Sequence, residues 1–257
     1  MKEFGKRLSS GIIGIILLVL VVTKGGFYLS TSIFIISLIG LREFYKALNN
    51  LEIRPNELIG NLGTIAIFLA NLTPGNSVDL VVTFIIITLL ISTLFEKDTK
   101  IQDISATLLG ILYVPFLIFH VSYLDGTNYI WLVFIIAFGT DTFAYLAGNL
   151  FGKRKLCPTI SPKKTIEGSI GGVIGSLFLT IIFAIVMEIN PLWKLMILSI
   201  LTSIISQLGD LVASKIKRIA KIKDYGFIMP GHGGILDRFD SIILAAPVIY
   251  YYVKYFL

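Results

Sequence analysis

Residues Leu192–Lys215 read LWKLMILSILTSIISQLGDLVASK, an almost unbroken apolar run with a single acid, Asp210, near its far end. A helix needs roughly 20 mostly apolar residues to cross a bilayer, and this run meets that length. Outside it the pattern repeats. Nine such runs are predicted, with approximate limits 10–23, 27–47, 58–73, 79–95, 104–123, 129–150, 168–188, 192–215 and 239–256. The whole chain agrees: of 257 residues 55% are hydrophobic and only 15% charged, with a mean hydropathy of +0.86. Soluble proteins carry about 25% charged residues. The expected fold is therefore an all-α polytopic membrane protein with about nine transmembrane helices. It is expected to form a single membrane domain over 1–257, with hydrophobic N-terminal helices in 1–136 and catalytic helices and cytoplasmic loops in 137–257.

Charge distribution gives an independent reading of topology. With the N-terminus inside, an alternating path leaves only Lys24, Lys194 and Lys254, of 22 lysines and arginines, off the cytoplasmic side. That bias is the one that sets membrane orientation, so it predicts a cytoplasmic N-terminus. The net charge of +6 is thereby accounted for, and no nucleic-acid partner is expected. The basic start (Lys2, Lys6, Arg7) before Ile12–Val22 resembles a signal peptide. No small-x-small cleavage site follows, so an uncleaved first span is expected. The single cysteine, Cys157, excludes an intramolecular disulfide and reads as a bystander.

Character changes along the chain. Before about residue 137 the spans are aliphatic; beyond it they carry acids, and the loops become basic and glycine-rich. Function is expected in this second half. Asp141 and Asp210 both fall inside predicted spans, where an acid costs at least about 2.5–3.5 kcal/mol and normally faces a polar interior with a partner. Asp210, Ser214, Lys217 and Lys221 follow i, i+4, i+7, i+11 spacing and so are predicted to share one helix face. Next comes Pro230-Gly-His-Gly-Gly234, then Asp237-Arg-Phe-Asp240. Glycines 231, 233 and 234 let the backbone bring N–H groups close to a ligand, and such arrays bind phosphate. His232 suits a metal ligand, a proton carrier or a phosphate donor. In the other basic loop, Ser161 and Pro162 are read as a helix start that places Lys163 and Lys164 near an anion. Gly168, Gly171, Gly172 and Gly175 have the small-residue spacing of close helix packing.

Few hard carboxylates among many cations do not make a zinc site. They suit Mg²⁺ with a phosphate-rich substrate, since Mg²⁺ takes one or two carboxylates plus substrate phosphates. No Walker A motif, Gly-x-Ser-x-Gly elbow or zinc-protease pattern occurs, which sets aside a P-loop NTPase and a serine hydrolase.

Ser214-Lys-Ile-Lys-Arg218, Lys223-Asp-Tyr-Gly226 and Pro230-Gly-His-Gly-Gly-Ile-Leu-Asp-Arg-Phe-Asp240 closely resemble the signature of phosphatidate cytidylyltransferases (CDP-diacylglycerol synthases). Asp141-Thr-Phe-Ala-Tyr145, Gly152-Lys153, Ser161-Pro-Lys-Lys-Thr165 and Glu167-Gly168 look like a second block of that family. The resemblance covers residues 139 to 241, and its only departures are Met229 and Ile166, neither of them an acid, base or glycine. It implies transfer of the cytidylyl group of CTP to phosphatidate, giving CDP-diacylglycerol and pyrophosphate. It implies Asp210 and Asp237 as metal ligands and Asp141 and Asp240 as further acids of the pocket. Lys163, Lys164, Lys217, Arg218, Lys223, His232 and Arg238 would hold the triphosphate and lipid phosphate, with Ser214 a polar contact. It also implies Mg²⁺, a second cation such as K⁺, a homodimer, and a site facing the cytoplasm from the cell (inner) membrane. Rival readings are a CTP-dependent polyprenol or phytol kinase, an archaeal-lipid synthase, and an Mg²⁺-dependent phosphoglycosyl transferase. A transporter would be expected to carry internal repeats, and the sequence has none.

Overall fold

A computed structural model describes residues 2–73, 77–95, 100–228 and 233–257, with only the backbone described for 2–10. Among these residues the regular secondary structure is helical apart from one short hairpin. Its helices are α1 (Lys2–Lys24), α2 (Gly26–Asn49), α3 (Glu57–Leu72), α4 (Val78–Ser92), α5 (Ile101–Ile111), α6 (Ile130–Phe151), α7 (Ile166–Val186), α8 (Leu192–Ile219) and α9 (Leu236–Phe256). Each overlaps one of the nine apolar runs, and the run 104–123 continues past α5 to Leu124. Five segments are long and apolar enough to cross a membrane: α2, Ile101–Leu124, α6, α7 and α8. Gly11–Lys24, α3 and α4 are shorter apolar helices. The protein is thus a helical membrane protein.

The chain divides into two compact units, one of Met1–Asp125 with Ile219–Arg238 and one of Gly126–Arg218 with Phe239–Leu257. In the first, α2 packs on α3 and α5. Tyr45 of α2 is fully enclosed and donates its hydroxyl to the Thr107 carbonyl at 2.8 Å. Its ring occupies the space left by Gly60, where a Cβ would fall 2.6 Å from Cε2, and by Gly110, where a Cβ would collide with Cε1. Asn56 caps α3 by accepting from the Ile59 amide at 3.0 Å. Beyond Ile111 the backbone widens into a π-helical turn, Leu112–Phe116, around Pro115. Proline has no N–H to offer the carbonyl four residues back, and the wider turn accommodates its ring.

In the second unit, α6 and α7 lie against each other along their length. The glycine spacing of α7 explains the closeness: a Cβ on Gly172 would stand 2.8 Å from the Thr140 carbonyl oxygen, and one on Gly168 2.7 Å from that of Ala144. The opposite face of α7 carries Ile170, Ile174, Phe178, Ile182 and Ile185, all exposed. That inside-out pattern is what lipid contact requires. Hydroxyls bind across the interior, Thr140 to Ser203 at 2.8 Å and Thr180 to Ser199 at 3.0 Å. Such interhelical bonds contribute about 0.6 kcal/mol each in membranes.

Two expectations fail locally. Ser161–Thr165 is a strand, β2, paired antiparallel with β1 (Lys155–Cys157), and does not start a helix. The helix begins at Ile166 instead because Thr165 is the better cap, its hydroxyl accepting from the Gly168 amide at 3.1 Å. At the other place, α8 stops at Ile219 and Lys221 sits at φ +56°, so the Asp210–Lys221 face is cut after Lys217.

Gly172→Leu is expected to destabilise the second unit by about 1–3 kcal/mol, the usual cost of overpacking. Gly11→Ala, at a position with open space around it, should be neutral. Thermal unfolding of the detergent-purified proteins compares the two.

Candidate active site

Asp210 is the centre of the second unit's polar interior. It lies in α8, half-buried, and pairs with Lys164 at 2.5 Å between Nζ and Oδ2. Ser214, one turn on, donates to Asp210 Oδ1 at 3.2 Å. The lysine comes from β2, and the base of that hairpin is held by a carboxylate: Glu167 accepts from the amides of Lys153 (3.0 Å) and Arg154 (3.2 Å). Register and anchor together carry Lys164 back to the acid. A cavity of about 650 Å³ opens here, lined by Asp141, Lys155, Lys163, Lys164, Gln207 and Asp210 among others. Its size suits a small-molecule ligand.

Asp240, buried near the start of α9, lies within electrostatic reach of Asp210, Lys217 and Asp141. Its neighbour Ser241 links to Asp141, the hydroxyl donating to Oδ2 at 3.3 Å. Lys217 is buried as well, whereas Arg218 is exposed and donates from Nε to the Ile160 carbonyl at 3.4 Å. The second unit thus gathers Asp141, Asp210, Asp240, Ser214, Lys163, Lys164, Lys217 and Arg218, drawn from helices and a hairpin. Ser169 and Gln207 also line the cavity and bind each other, with Ser169 Oγ donating to Gln207 Oε1 at 2.5 Å and Gln207 Nε2 donating back to the Ser169 carbonyl at 3.2 Å.

Asp237, Arg238, Lys223, Gly233 and Gly234 belong to the first unit. Asp237 is buried, and its Oδ2 accepts from the amides of Tyr225 at 2.8 Å and Gly234 at 3.0 Å. Gly233 adopts φ +88°, a conformation side chains resist. Glu43 of α2, buried too, takes the next two amides: Ile235 at 3.1 Å and Leu236 at 2.8 Å. Of the glycine amides expected to approach a phosphate, that of Gly234 is bound by Asp237, and the next two amides, of Ile235 and Leu236, are bound by Glu43. Lys223 and Arg238 are both exposed, at the edge of this unit. Lys223 lines a cavity of about 790 Å³ with Arg42, Glu43, Lys46 and Tyr225. Gly231 and His232 lie outside the described residues. Glu43 escaped the sequence reading because it sits in the aliphatic first half. Its signal was an acid inside the limits of a predicted span, masked by Arg42 and Lys46 on either side.

The acids present are hard oxygen donors. Among the described residues no three Asp, Glu, His or Cys side chains stand in metal-holding geometry by themselves. Mg²⁺ does not require that, because it keeps waters and takes substrate oxygens beside one or two carboxylates. The donor set of Asp210 with Asp141 and Asp240 nearby fits such an ion.

Known proteins match this chain over almost its whole length. The model of the cytidylyltransferase family matches residues 5–256. A phosphatidate cytidylyltransferase of Staphylococcus haemolyticus is 36% identical over 254 residues, covering 95% of this chain and 96% of its own. Proteins of the same name from Staphylococcus saprophyticus and Staphylococcus aureus are each 36% identical, over 250 and 251 residues, with the same shares of each chain covered. A match that runs nearly end to end, and includes every charged residue of the second unit's cavity, places this chain in the cytidylyltransferase family.

Proposed function

We propose that this protein transfers the cytidylyl group of CTP to phosphatidate, giving CDP-diacylglycerol and pyrophosphate. One observation carries the reading: an acid within a membrane helix, Asp210, is paired with a loop lysine, Lys164, inside a cavity lined by further cations and acids. A headgroup phosphate and a nucleotide triphosphate both need such cations, and the names of the relatives support that substrate pair.

In the proposed reaction a phosphate oxygen of phosphatidate forms a bond to the α-phosphorus of CTP. The bond from that phosphorus to the bridging oxygen breaks, and pyrophosphate leaves with the electron pair. Lys163, Lys164 and Lys155 would neutralise the triphosphate, and Lys217 and Arg218 would hold the second phosphate group. Lys164 serves twice, since it compensates Asp210 before substrate arrives and turns to phosphate afterwards. Mg²⁺, when bound, would offset the charge developing on the leaving pyrophosphate. Asp210, with Asp141 and Asp240 beside it, would hold the ion. A second cation such as K⁺ and a homodimer belong to the same proposal. So does an arrangement of nine spans with a cytoplasmic N-terminus, supported by the distribution of Lys and Arg. That topology turns the site to the cytoplasm, where CTP is.

Purified protein in detergent, given labelled CTP and phosphatidate with and without Mg²⁺, tests the reading. CDP-lipid and pyrophosphate are expected only with the metal. Consumption of a sugar nucleotide with no CDP-lipid formed would sink it. Asp210→Asn is expected to lower kcat by about 10²–10³-fold, the size of a lost electrostatic contact to the reacting centre. Lys164→Gln should raise KM for CTP and leave Asp210 without its ammonium, measurable as a lower unfolding midpoint in detergent. Asp237→Asn separates two roles, since an amide oxygen can still accept from Tyr225 and Gly234. Abolished turnover with normal membrane insertion makes the charge itself necessary; near-normal turnover limits Asp237 to holding the loop.

A further inference from the structure

Glu43 lies in the last third of α2, between Arg42 and Phe44, and is only 6% exposed. Its two oxygens are both used: Oε1 accepts from the Ile235 amide and Oε2 from the Leu236 amide. These are N–H groups at the very start of α9, where a helix has no internal acceptor for them. The surroundings are shaped to the carboxylate. A Cβ on Gly234 would stand 2.5 Å from both oxygens, and one on Gly226 would collide with Oε1 from another side. One turn earlier on α2, Gly40 leaves room for the Leu236 side chain. Asp237 completes the arrangement by taking the Tyr225 and Gly234 amides, and Arg238 N–H donates to the Ile235 carbonyl at 2.9 Å.

We infer that Glu43 is a positioning residue for the reaction: its carboxylate clamps the turn from Gly233 to Leu236 and so fixes the first turn of α9, the helix that carries Asp240. The residue acts through the backbone and does not touch substrate. Only glutamate meets the geometry. Glutamine offers one acceptor and turns an N–H₂ donor on the other amide, while aspartate is shorter by one methylene. Because the carboxylate occupies the start of α9, the Ile235 and Leu236 amides are closed to a substrate phosphate. The glycines there serve a protein carboxylate.

The inference rests on the cytidylyl-transfer reading for its kinetic arm alone, and a second measurement is independent of it. Full-length Glu43→Gln and Glu43→Ala proteins in detergent are compared with wild type by hydrogen–deuterium exchange and by steady-state kinetics. The Ile235 and Leu236 amides should exchange about tenfold faster in both variants, as for the loss of a charge-assisted bond. The amides of α3 and α5 should keep wild-type rates. In Glu43→Gln, kcat should fall about 10- to 100-fold, the effect of a misplaced group, with KM for CTP within about threefold of wild type. Unchanged exchange at the two amides overturns the inference, and so does a kcat within about twofold of wild type. Equal loss of protection through α3 and α5 in Glu43→Gln also overturns it, making Glu43 a general stability residue. If wild type forms no CDP-lipid from CTP and phosphatidate, the activity reading falls, and exchange at Ile235 and Leu236 alone decides the role of Glu43.

Discussion

A carboxylate inside an apolar helix has to be answered by a donor, because leaving it bare in a bilayer costs at least about 2.5–3.5 kcal/mol. In the second unit that demand organises everything around Asp210. The answering donor, Lys164, comes from outside the helices, so a connection must fold back to deliver it. A two-stranded hairpin does so, with Glu167 fastening its base and Thr165 starting the next helix where the strand ends. The hairpin's ends join α6 and α7, and those two helices stand close because Gly168, Gly171 and Gly172 leave no side chain between them. The glycines are packing residues. Their service to the site is to let the hairpin's two ends meet.

The first unit solves the same problem with a different donor. Glu43 and Asp237 are buried, and backbone amides answer them. Those amides are themselves in need, since they lie in a turn and at the opening of a helix where no carbonyl is available. Each side satisfies the other. Bonds between an amide and a charged acceptor contribute about 1.5–3 kcal/mol apiece, so four of them make a firm turn out of a glycine-rich segment. The positive φ at Gly233 is tolerated in that setting.

Much of this was legible in the residues alone. The nine apolar runs correspond to α1 through α9, and the two acids placed within spans, Asp141 and Asp210, do sit inside α6 and α8. The packing role of the α7 glycines was also readable, because small-residue spacing has one common cause in membranes. What failed depended on competition between neighbours. Ser161-Pro162 carries a sound helix-start signal, yet Thr165 caps better once strand pairing has taken the residues before it. Lys221 fits the periodicity of α8, but periodicity does not say where a helix ends. Glu43 was missed for another reason. The contrast between an aliphatic first half and a polar second half drew attention from a lone acid, and its partners, Ile235 and Leu236, lie far along the chain.

Sequence spacing treats Asp210, Asp237 and Asp240 as members of one motif, and the structure distinguishes them by what they accept from. Asp237 has an oxygen spent on two amides, donors that are fixed in place and carry no net charge. Asp210 accepts from a lysine ammonium and a hydroxyl, both on rotatable side chains. An ammonium on a flexible stem can leave for a phosphate, and a cation can take the position it vacates; a backbone amide in a closed turn cannot. Exchangeable partners suit an acid that must change its company during turnover. Fixed partners suit an acid that holds a turn still. By that criterion Asp210 suits the role in chemistry proposed for it, and the Asp237 oxygen bound by Tyr225 and Gly234 holds its turn.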